Sequence, residues 1–472
     1  MGNKIDCLLI AHNGVSNERR MTITEYIDTV QFTDVFNGAI AYLGTYLNKN
    51  GLTFDYINSF YNEKKELVNI LQEKQINLVA ITSSLCTDYK PIAEIVSFIK
   101  RINPNIKIVI GGIFIATLLV ENDNSIIQFM LRKMNADFYI NSFEGEQSLV
   151  SLIKAIKESR NYEDVPNLYY KKERNYSKTK IVKERNEISD NPVNWRLFSS
   201  KIEEMVPVRT AKSCPFSCAY CAYPQFEGQY KYVDVQNIEK ELDMLKEIDK
   251  VKSINFIDDT FNVPADRFKE LLRMMIKNKY NFKWHSHFRC QFADEEMVYL
   301  MKESGCESVF LGIESGNQEM LNRMNKRATV EQYRHGINLL NRENIVSFGL
   351  FMAGFPGETI RTAMETVKFI EETNLTFFNI DTWICSKFSP VWKRKEEFQI
   401  TGDNYTWSHY TMNSKEANQL TREMCLSINN SIWATLPYSN IFQMYHAGLS
   451  LIQIKKILYG FNDYLDNKLG KI

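Results

Sequence analysis

Three thiols crowd one short stretch, Cys214-Pro-Phe-Ser-Cys218-Ala-Tyr-Cys221. Thiolates are soft donors, and three on one loop can fill three corners of a tetrahedral zinc site or of a [4Fe–4S] cubane. Structural zinc sites usually join two half-sites, and no second pair stands elsewhere: Cys7, Cys86, Cys290, Cys306, Cys385 and Cys425 are scattered singly. Spacing favours iron–sulfur but leaves open zinc with a distant fourth ligand, or three unrelated thiols. A cubane on three cysteines would keep one iron without a protein ligand, open to a substrate or cofactor.

Composition narrows the setting. The 472 residues carry 57 Lys and Arg against 57 Asp and Glu, so no net positive charge draws the chain to phosphate backbones and nucleic acid is an unexpected partner. With 44% apolar and 24% charged residues the balance is that of a soluble globular chain, and 29 Phe and 24 Tyr against 11 Pro exclude disorder. No apolar run reaches the ~18 residues of a membrane span. Ile108 to Val120 comes nearest, but a glycine pair marks it as a strand running into a helix. MGNKIDCLLIAHNG enters a strand pattern at once, without a signal peptide, and Asp6 stands where myristoylation of Gly2 needs Ser or Thr. The expected compartment is the cytoplasm, where thiols stay reduced.

The elements that position the cysteines are legible as two alternating series. Strand patterns at 5–11, 53–59, 76–84, 106–112 and 136–142 alternate with helical patterns at 36–47, 64–74, 92–102 and 126–134. Such alternation implies a doubly wound parallel sheet with ligands at the strand carboxyl ends. Those ends read His12-Asn13-Gly14, Ser83-Ser84, Gly111-Gly112 and Ser142-Phe143-Glu144-Gly145-Glu146; each taken singly is equally an ordinary turn. Residues 161–200, charged and carrying Tyr169, Tyr170 and Tyr176, read as an exposed hairpin and linker. A second series follows, with strands at 205–210, 253–258, 282–288, 307–314, 345–353 and 376–384. Six strand–helix units fall short of a closed barrel of eight and imply a partial, open (β/α)6 barrel. From about 391 to 472 the chain turns aromatic and helical, a small cap without alternating strands. The expected division is 1–160, 161–200, 201–390 and 391–472, and the fold class is α/β.

The Cys-x3-Cys-x2-Cys loop after the first strand of this series, with Tyr220 before its last cysteine, resembles the radical SAM superfamily. SINFIDDTFN (253–262), Phe288-Arg289 with DEEMVYLMKESGC (294–306), VFLGIESGNQEMLNRMNK (309–326) and FMAGFPGET (351–359) follow in that family's order, over roughly residues 205–385. The resemblance implies that Cys214, Cys218 and Cys221 hold a [4Fe–4S] cluster whose open iron chelates S-adenosyl-L-methionine, and that Tyr220 approaches the adenine. Asp258 and Asp259 stand where the family usually has a Gly-Gly-Glu motif for the methionine amino group, a departure that leaves their role less defined. Glu314 and Ser315 stand where ribose or methionyl contacts occur, and Gly354 and Gly357 allow close backbone approach. Arg289 and His287 share a strand face. Arg289 could pair the methionine carboxylate or a neighbouring strand. His287, like His285 and His335, reads more simply as a satisfied core histidine.

The first series resembles the cobalamin-binding, Rossmann-like domain of the cobalamin-dependent radical SAM subfamily, through VAITSSLCTDYKPIAEIVSFIKRINPNIKIVIGGIF (79–114) and YINSFEGEQSLVSLI (139–153). The Asp-x-His-x-x-Gly signature is absent, which implies base-off cobalamin. Ser83, Ser84, Gly111, Gly112 and Glu144 are the candidate contacts, with Leu85 or Cys86 facing the cobalt. DCLLIAHN, FIDDTFN and SHYTMNSKEA (408–417) are similar to a narrower branch, the phosphinate P-methyltransferases. The implied activity is methylation of an unactivated carbon or phosphorus through a 5′-deoxyadenosyl radical and methylcobalamin. A non-methylating radical rearrangement or oxidation is one alternative; a zinc-stabilised, non-catalytic binding module is another. The implied partners are a small-molecule or peptide substrate and a flavodoxin- or ferredoxin-type electron donor, with no membrane and a monomeric chain. Tyr405, Trp407, His409 and Tyr410 could line the substrate pocket, although packing is the simpler role for each.

Overall fold

The computed structural model describes residues 4–12, 35–434, 441, 444–445 and 448–469, the last nine by backbone alone. Asn13 and Gly14 of the first strand end lie outside them. Among these residues one compact unit takes 4–12, 35–206 and 243–250, and a second takes 207–242 and 251 onward.

The first unit is built on a seven-stranded sheet. Its strands are β1 (Lys4–Ala11), β2 (Phe54–Ile57), β3 (Gln75–Thr82), β4 (Ile108–Gly111), β5 (Phe138–Ile140), β6 (Leu168–Lys172) and β7 (Asn175–Lys178), in the order β2-β1-β3-β4-β5-β6-β7. β1 to β5 pair in parallel, with helices between them. Both faces are covered, as continuous apolar runs require. Leu8, Ile10, Val79, Ile81, Ile108 and Ile110 share one core with the flanking helices. Cys7, Leu9, Leu78, Ala80 and Val109 point the other way and are also buried. The strand order reverses between β1 and β3, the switch point where doubly wound sheets open a crevice.

The stretch read as an exposed hairpin and linker packs into this unit instead. β6 and β7 form the expected hairpin, but it extends the sheet in antiparallel fashion from β5. Tyr169 and Tyr176 are buried, and the Tyr176 ring meets that of Tyr139. Further on, Trp195 and Phe198 are fully buried against Phe36. The charged residues around them masked this apolar periodicity.

β8 (Met205–Val208), whose Pro207 and Val208 begin the second unit, leads to a short ribbon of β9 (Ala211–Lys212) and β10 (Lys231–Tyr232). β11 (Ser253–Phe256), β12 (Lys283–His287), β13 (Cys306–Glu314), β14 (Val346–Ala353) and β15 (Phe377–Thr382) then alternate with helices. A hairpin of β16 (Thr401–Asp403) and β17 (Thr406–Ser408) and a final β18 (Ile432–Trp433) complete the strands. The barrel sheet has the order β18-β15-β14-β13-β12-β11-β8, with parallel pairs from β11 through β15 and on to β18. The expected six strands are therefore seven, and the terminal segment is not wholly helical. Two residues, Ile-Trp, are too short a run to register as alternation.

Period-two alternation gives the barrel strands two unlike faces. Trp284 and Phe256 pack with Phe261 and Phe268 on one side. On the other, Phe310, Phe348 and Phe377 meet Ile441, Met444, Ile454 and Leu458 of the carboxyl-terminal segment.

Because Trp195 is fully enclosed, Trp195→Ala should destabilise the first unit by about 3–5 kcal/mol. Urea unfolding reads this directly; a change within experimental scatter would restore the linker reading.

Candidate functional site

The cysteine loop leaves β9 at Ser213, whose φ is 66°, and is held from two sides. Ala219 N donates to Met324 O at 2.8 Å, and Asn325 Nδ2 donates to Ser217 O at 2.8 Å. Opposite stands Asp258-Asp259-Thr260-Phe261-Asn262. The Asp258 carboxylate accepts from Thr210 N (2.6 Å), Ala211 N (2.9 Å) and the Thr210 hydroxyl. Arg267 Nη2 donates to Thr210 O at 2.9 Å. The Thr260 hydroxyl lies 3.2 Å from Cys214 Sγ. The Asn262 amide accepts from Arg289 N (2.9 Å) and donates to Arg289 O (3.1 Å). Arg289 in turn directs Nη2 to Cys218 Sγ at 3.5 Å.

All three cysteines are free thiols, Cys218 buried and Cys214 and Cys221 half-buried. Burial, and then the neighbouring Cys218 and Cys214, push the Cys221 thiol up to about 11. Crowded sulfurs in a desolvated loop need positive charge before they can carry their own, and bound metal supplies it. Among the described residues no three His, Cys, Asp or Glu side chains gather around a single metal ion. Soft donors distributed along a loop, two of them beside an N–H or O–H group, suit an iron–sulfur cluster.

Asp258 does not meet its expectation as a ligand contact. It is 1% exposed and its acceptor positions are occupied by the loop backbone. Asp259 differs: it is solvent-accessible, and burial of its surroundings and then the Asp258 charge raise its pKa to about 7 beside the Tyr223 hydroxyl. Ser315 is fully buried and its hydroxyl is engaged with Thr366 and Asn317, so it shapes the turn after β13.

Glu314 ends β13 in a bulge, with φ at 70°. Its carboxylate folds back over Gly312, where a Cβ would come within 3.1 Å of Oε1. The same oxygen accepts from Tyr220 OH (2.8 Å) and Lys326 Nζ (3.0 Å), and Lys326 also donates to Tyr220 (2.9 Å). Lys326, 4% exposed, went unread although it closes the quoted strand-four stretch, as did Thr260 and Asn262 in FIDDTFN. His287, on β12, is driven down to about 4 by burial, so it is neutral at neutral pH. Asp381, near the end of β15, is held above the usual carboxylate range by burial and, less, by the Glu314 charge, with Asn379 opposing.

Gly354 has φ of 87°, and a Cβ there would reach within 2.6 Å of Ala417 Cβ and 2.9 Å of Trp407. This close approach seats the terminal segment on the barrel. Trp407 is buried, stacks on His409 at 5.0 Å and donates to Trp383 O, while Tyr405 is exposed and Tyr410 bonds Arg323. Packing is thus the role the geometry gives Trp407 and His409. Glu358, fully buried, accepts from Gly354 N; its Oε1 has no partner among the described residues, and burial raises it to about 7.

In the first unit Ser83 and Ser84 end β3, and Gly111 and Gly112 end β4. Ser83 is fully buried and donates to Gly111 O at 2.8 Å, which binds the two strand ends together. Gly112 has φ of 104°, and a Cβ on it would stand 2.9 Å from Ser84 Oγ. Leu85 is 68% and Ile113 44% exposed beside this contact. Cys86 packs against the core, and burial pushes it to about 12. Backbones in close contact, flanked by exposed aliphatic side chains, fit a flat and largely apolar ring. Glu144 follows β5, where Ser142 Oγ accepts from its backbone N–H at 3.2 Å.

Residues 208–370 match the radical SAM superfamily, and residues 28–126 match the B12 binding domain. Among curated proteins, an uncharacterized methyltransferase, PH0819, of Pyrococcus horikoshii is 25% identical over 321 residues, 66% of this chain and 68% of its own. Anaerobic magnesium-protoporphyrin IX monomethyl ester cyclase of Rubrivivax gelatinosus is 25% identical over 383 residues, 77% of this chain and 66% of its own. The matches thus span about two thirds of these relatives' length. The fold is similar to that of the radical S-adenosylmethionine methyltransferase TsrM of Kitasatospora setae, solved with cobalamin and a [4Fe-4S] cluster. The TM-score is 0.63 at 18% identity, over 84% of this chain and 78% of that one.

A buried carboxyl whose pKa rises on folding stabilises the fold below its unfolded value and loses that contribution as pH climbs through the folded one. Between about pH 4.5 and 7, Glu358→Gln should therefore gain stability steadily relative to the parent chain. Parallel melting curves across this interval test it; a constant difference would show that Glu358 does not titrate there.

Proposed function

We infer that this radical SAM enzyme with a B12-binding domain is a cobalamin-dependent methyltransferase acting on an unactivated carbon or phosphorus centre of a small-molecule or peptide natural product. The observation that carries the reading is the loop of three thiols with hydrogen-bond donors at Cys214 and Cys218, in one chain with a B12-binding domain. When bound, the cluster supplies an electron for reductive cleavage of S-adenosyl-L-methionine, and cobalamin carries the methyl group.

The chain's own residues set the stage for that chemistry. Cys214, Cys218 and Cys221 ligate iron. Tyr220 and Glu314 form one hydrogen-bonded unit whose second carboxylate oxygen, Oε2, without a hydrogen bond among the described residues, suits the ribose hydroxyls, and Lys326 balances its charge out of water. Asp259 is the carboxyl of its pair left to receive the methionine amino group. Neutral His287 and Asp381 present polar groups to substrate at the strand carboxyl ends. In the first unit the Ser84–Cys86 and Gly111–Gly112 turns receive the corrin, with Leu85 toward the cobalt and no histidine ligand.

The match to the cyclase supports a second reading, in which the substrate radical is oxidised or rearranged without gaining a methyl group. The zinc-stabilised binding module loses its ground with the radical SAM match. A flavodoxin- or ferredoxin-type donor, a cytoplasmic site and a monomeric state belong to the same proposal. No helix among the described residues is long and apolar enough to cross a membrane.

Product analysis with methyl-labelled S-adenosyl-L-methionine separates the two readings: label in the product supports methyl transfer, and unlabelled product supports the second. Cys218→Ala should abolish release of 5′-deoxyadenosine while leaving the absorbance of bound cobalamin intact. Loss of both properties would show that the two ligand sites do not form independently.

A further inference from the structure

Arg289 was expected to face a carboxylate, yet its guanidinium turns to a sulfur. Nη2 lies 3.5 Å from Cys218 Sγ, and Cζ sits 3.6 Å over the Phe216 ring, which stacks on Phe292 at 5.9 Å. The backbone of Arg289 is clamped in both directions by the fully buried Asn262. Two residues before Asn262, Thr260 is 1% exposed with its hydroxyl 3.2 Å from Cys214 Sγ. An iron-bound thiolate carries no proton, so the hydroxyl must be the donor. Arg289 Nη1 is buried without an acceptor among the described residues, and no carboxylate there pairs with the cation. Its charge and its spare donor both await an acceptor that the described residues do not provide.

We propose that Thr260 and Arg289 are redox-tuning residues, two donors aimed at the Cys214 and Cys218 sulfurs that raise the reduction potential of the cluster. The inference rests on the iron–sulfur reading above. Reduction adds one electron, whose charge spreads onto the sulfurs. Hydrogen bonds and a nearby cation stabilise that added charge more than they stabilise the oxidised state, and they do so most strongly where water is excluded. Both residues are positioned by the segment that stands in place of the family's Gly-Gly-Glu motif, so this device belongs to the chain's departure from that motif.

The test is a potentiometric titration, followed by electron paramagnetic resonance, of anaerobically reconstituted protein without S-adenosyl-L-methionine. Thr260→Val and Arg289→Met should each shift the midpoint to more negative potential by about 59 mV, tenfold in the one-electron equilibrium. Thr260→Ser, which keeps the hydroxyl, should stay near the parent value. Midpoints unchanged in variants with full iron and sulfide content would overturn the proposal. If Arg289→Met takes up no iron, Thr260→Val and Arg289→Gln decide, and an unshifted midpoint in both overturns it. Failure of the parent protein itself to assemble a cluster would instead overturn the iron–sulfur reading.

Discussion

The second unit is organised around one carboxylate. Asp258 binds two successive backbone N–H groups and a hydroxyl at the mouth of the cysteine loop. A loop that must collect several thiolates at fixed separations cannot rely on sulfur packing, because the sulfurs repel one another once ionised. An acceptor charged enough to hold the backbone fixes the loop from outside the sulfur cage. Burying that carboxylate has a desolvation cost, which its three donors and the nearby Arg267 offset only in part, so burial still holds it above the usual carboxylate range. The same five-residue segment reaches Cys214 through Thr260 and Arg289 through Asn262, so loop, sulfurs and cation are set by one short piece of backbone.

A second charge arrangement depends on a missing side chain. The bulge at Glu314 returns its carboxylate over Gly312, and a methyl group there would press on Glu314 Oε1. Left-handed backbone at a glutamate is costly, and it persists because Tyr220 and Lys326 hold the carboxylate on its far side. Backbone strain at the end of β13 is thus exchanged for a preorganised acceptor held by Tyr220 and Lys326.

Much of this was legible before any coordinates. Alternating apolar runs located β1 to β5 and the barrel strands β8 and β11 to β15 within a few residues, because their apolar patterns are long enough to read. The cysteine spacing and the order of the motifs located the site. What escaped has a physical cause in each case. Two-residue β18 carries no period. Trp195 and Phe198 follow a charged run, 171–190, that reads as solvent-facing. The partition of roles between Asp258 and Asp259 depends on which of two identical carboxyls turns inward, and Lys326 and Thr260 act through contacts far apart in sequence. Sequence named the stretch FIDDTFN but could not divide the roles of Asp258, Asp259, Thr260 and Asn262 within it.

The seventh barrel strand has a consequence for biogenesis. β18 reaches the sheet edge only through β15, and the helix that plugs the barrel floor follows it in the chain. During synthesis β14 and β15 emerge from the ribosome before the segment that covers their edge and their phenylalanines. A nascent chain therefore presents an unpaired sheet margin and a greasy floor until β18 and the helix after it have been made, a window in which chaperone capture competes with aggregation.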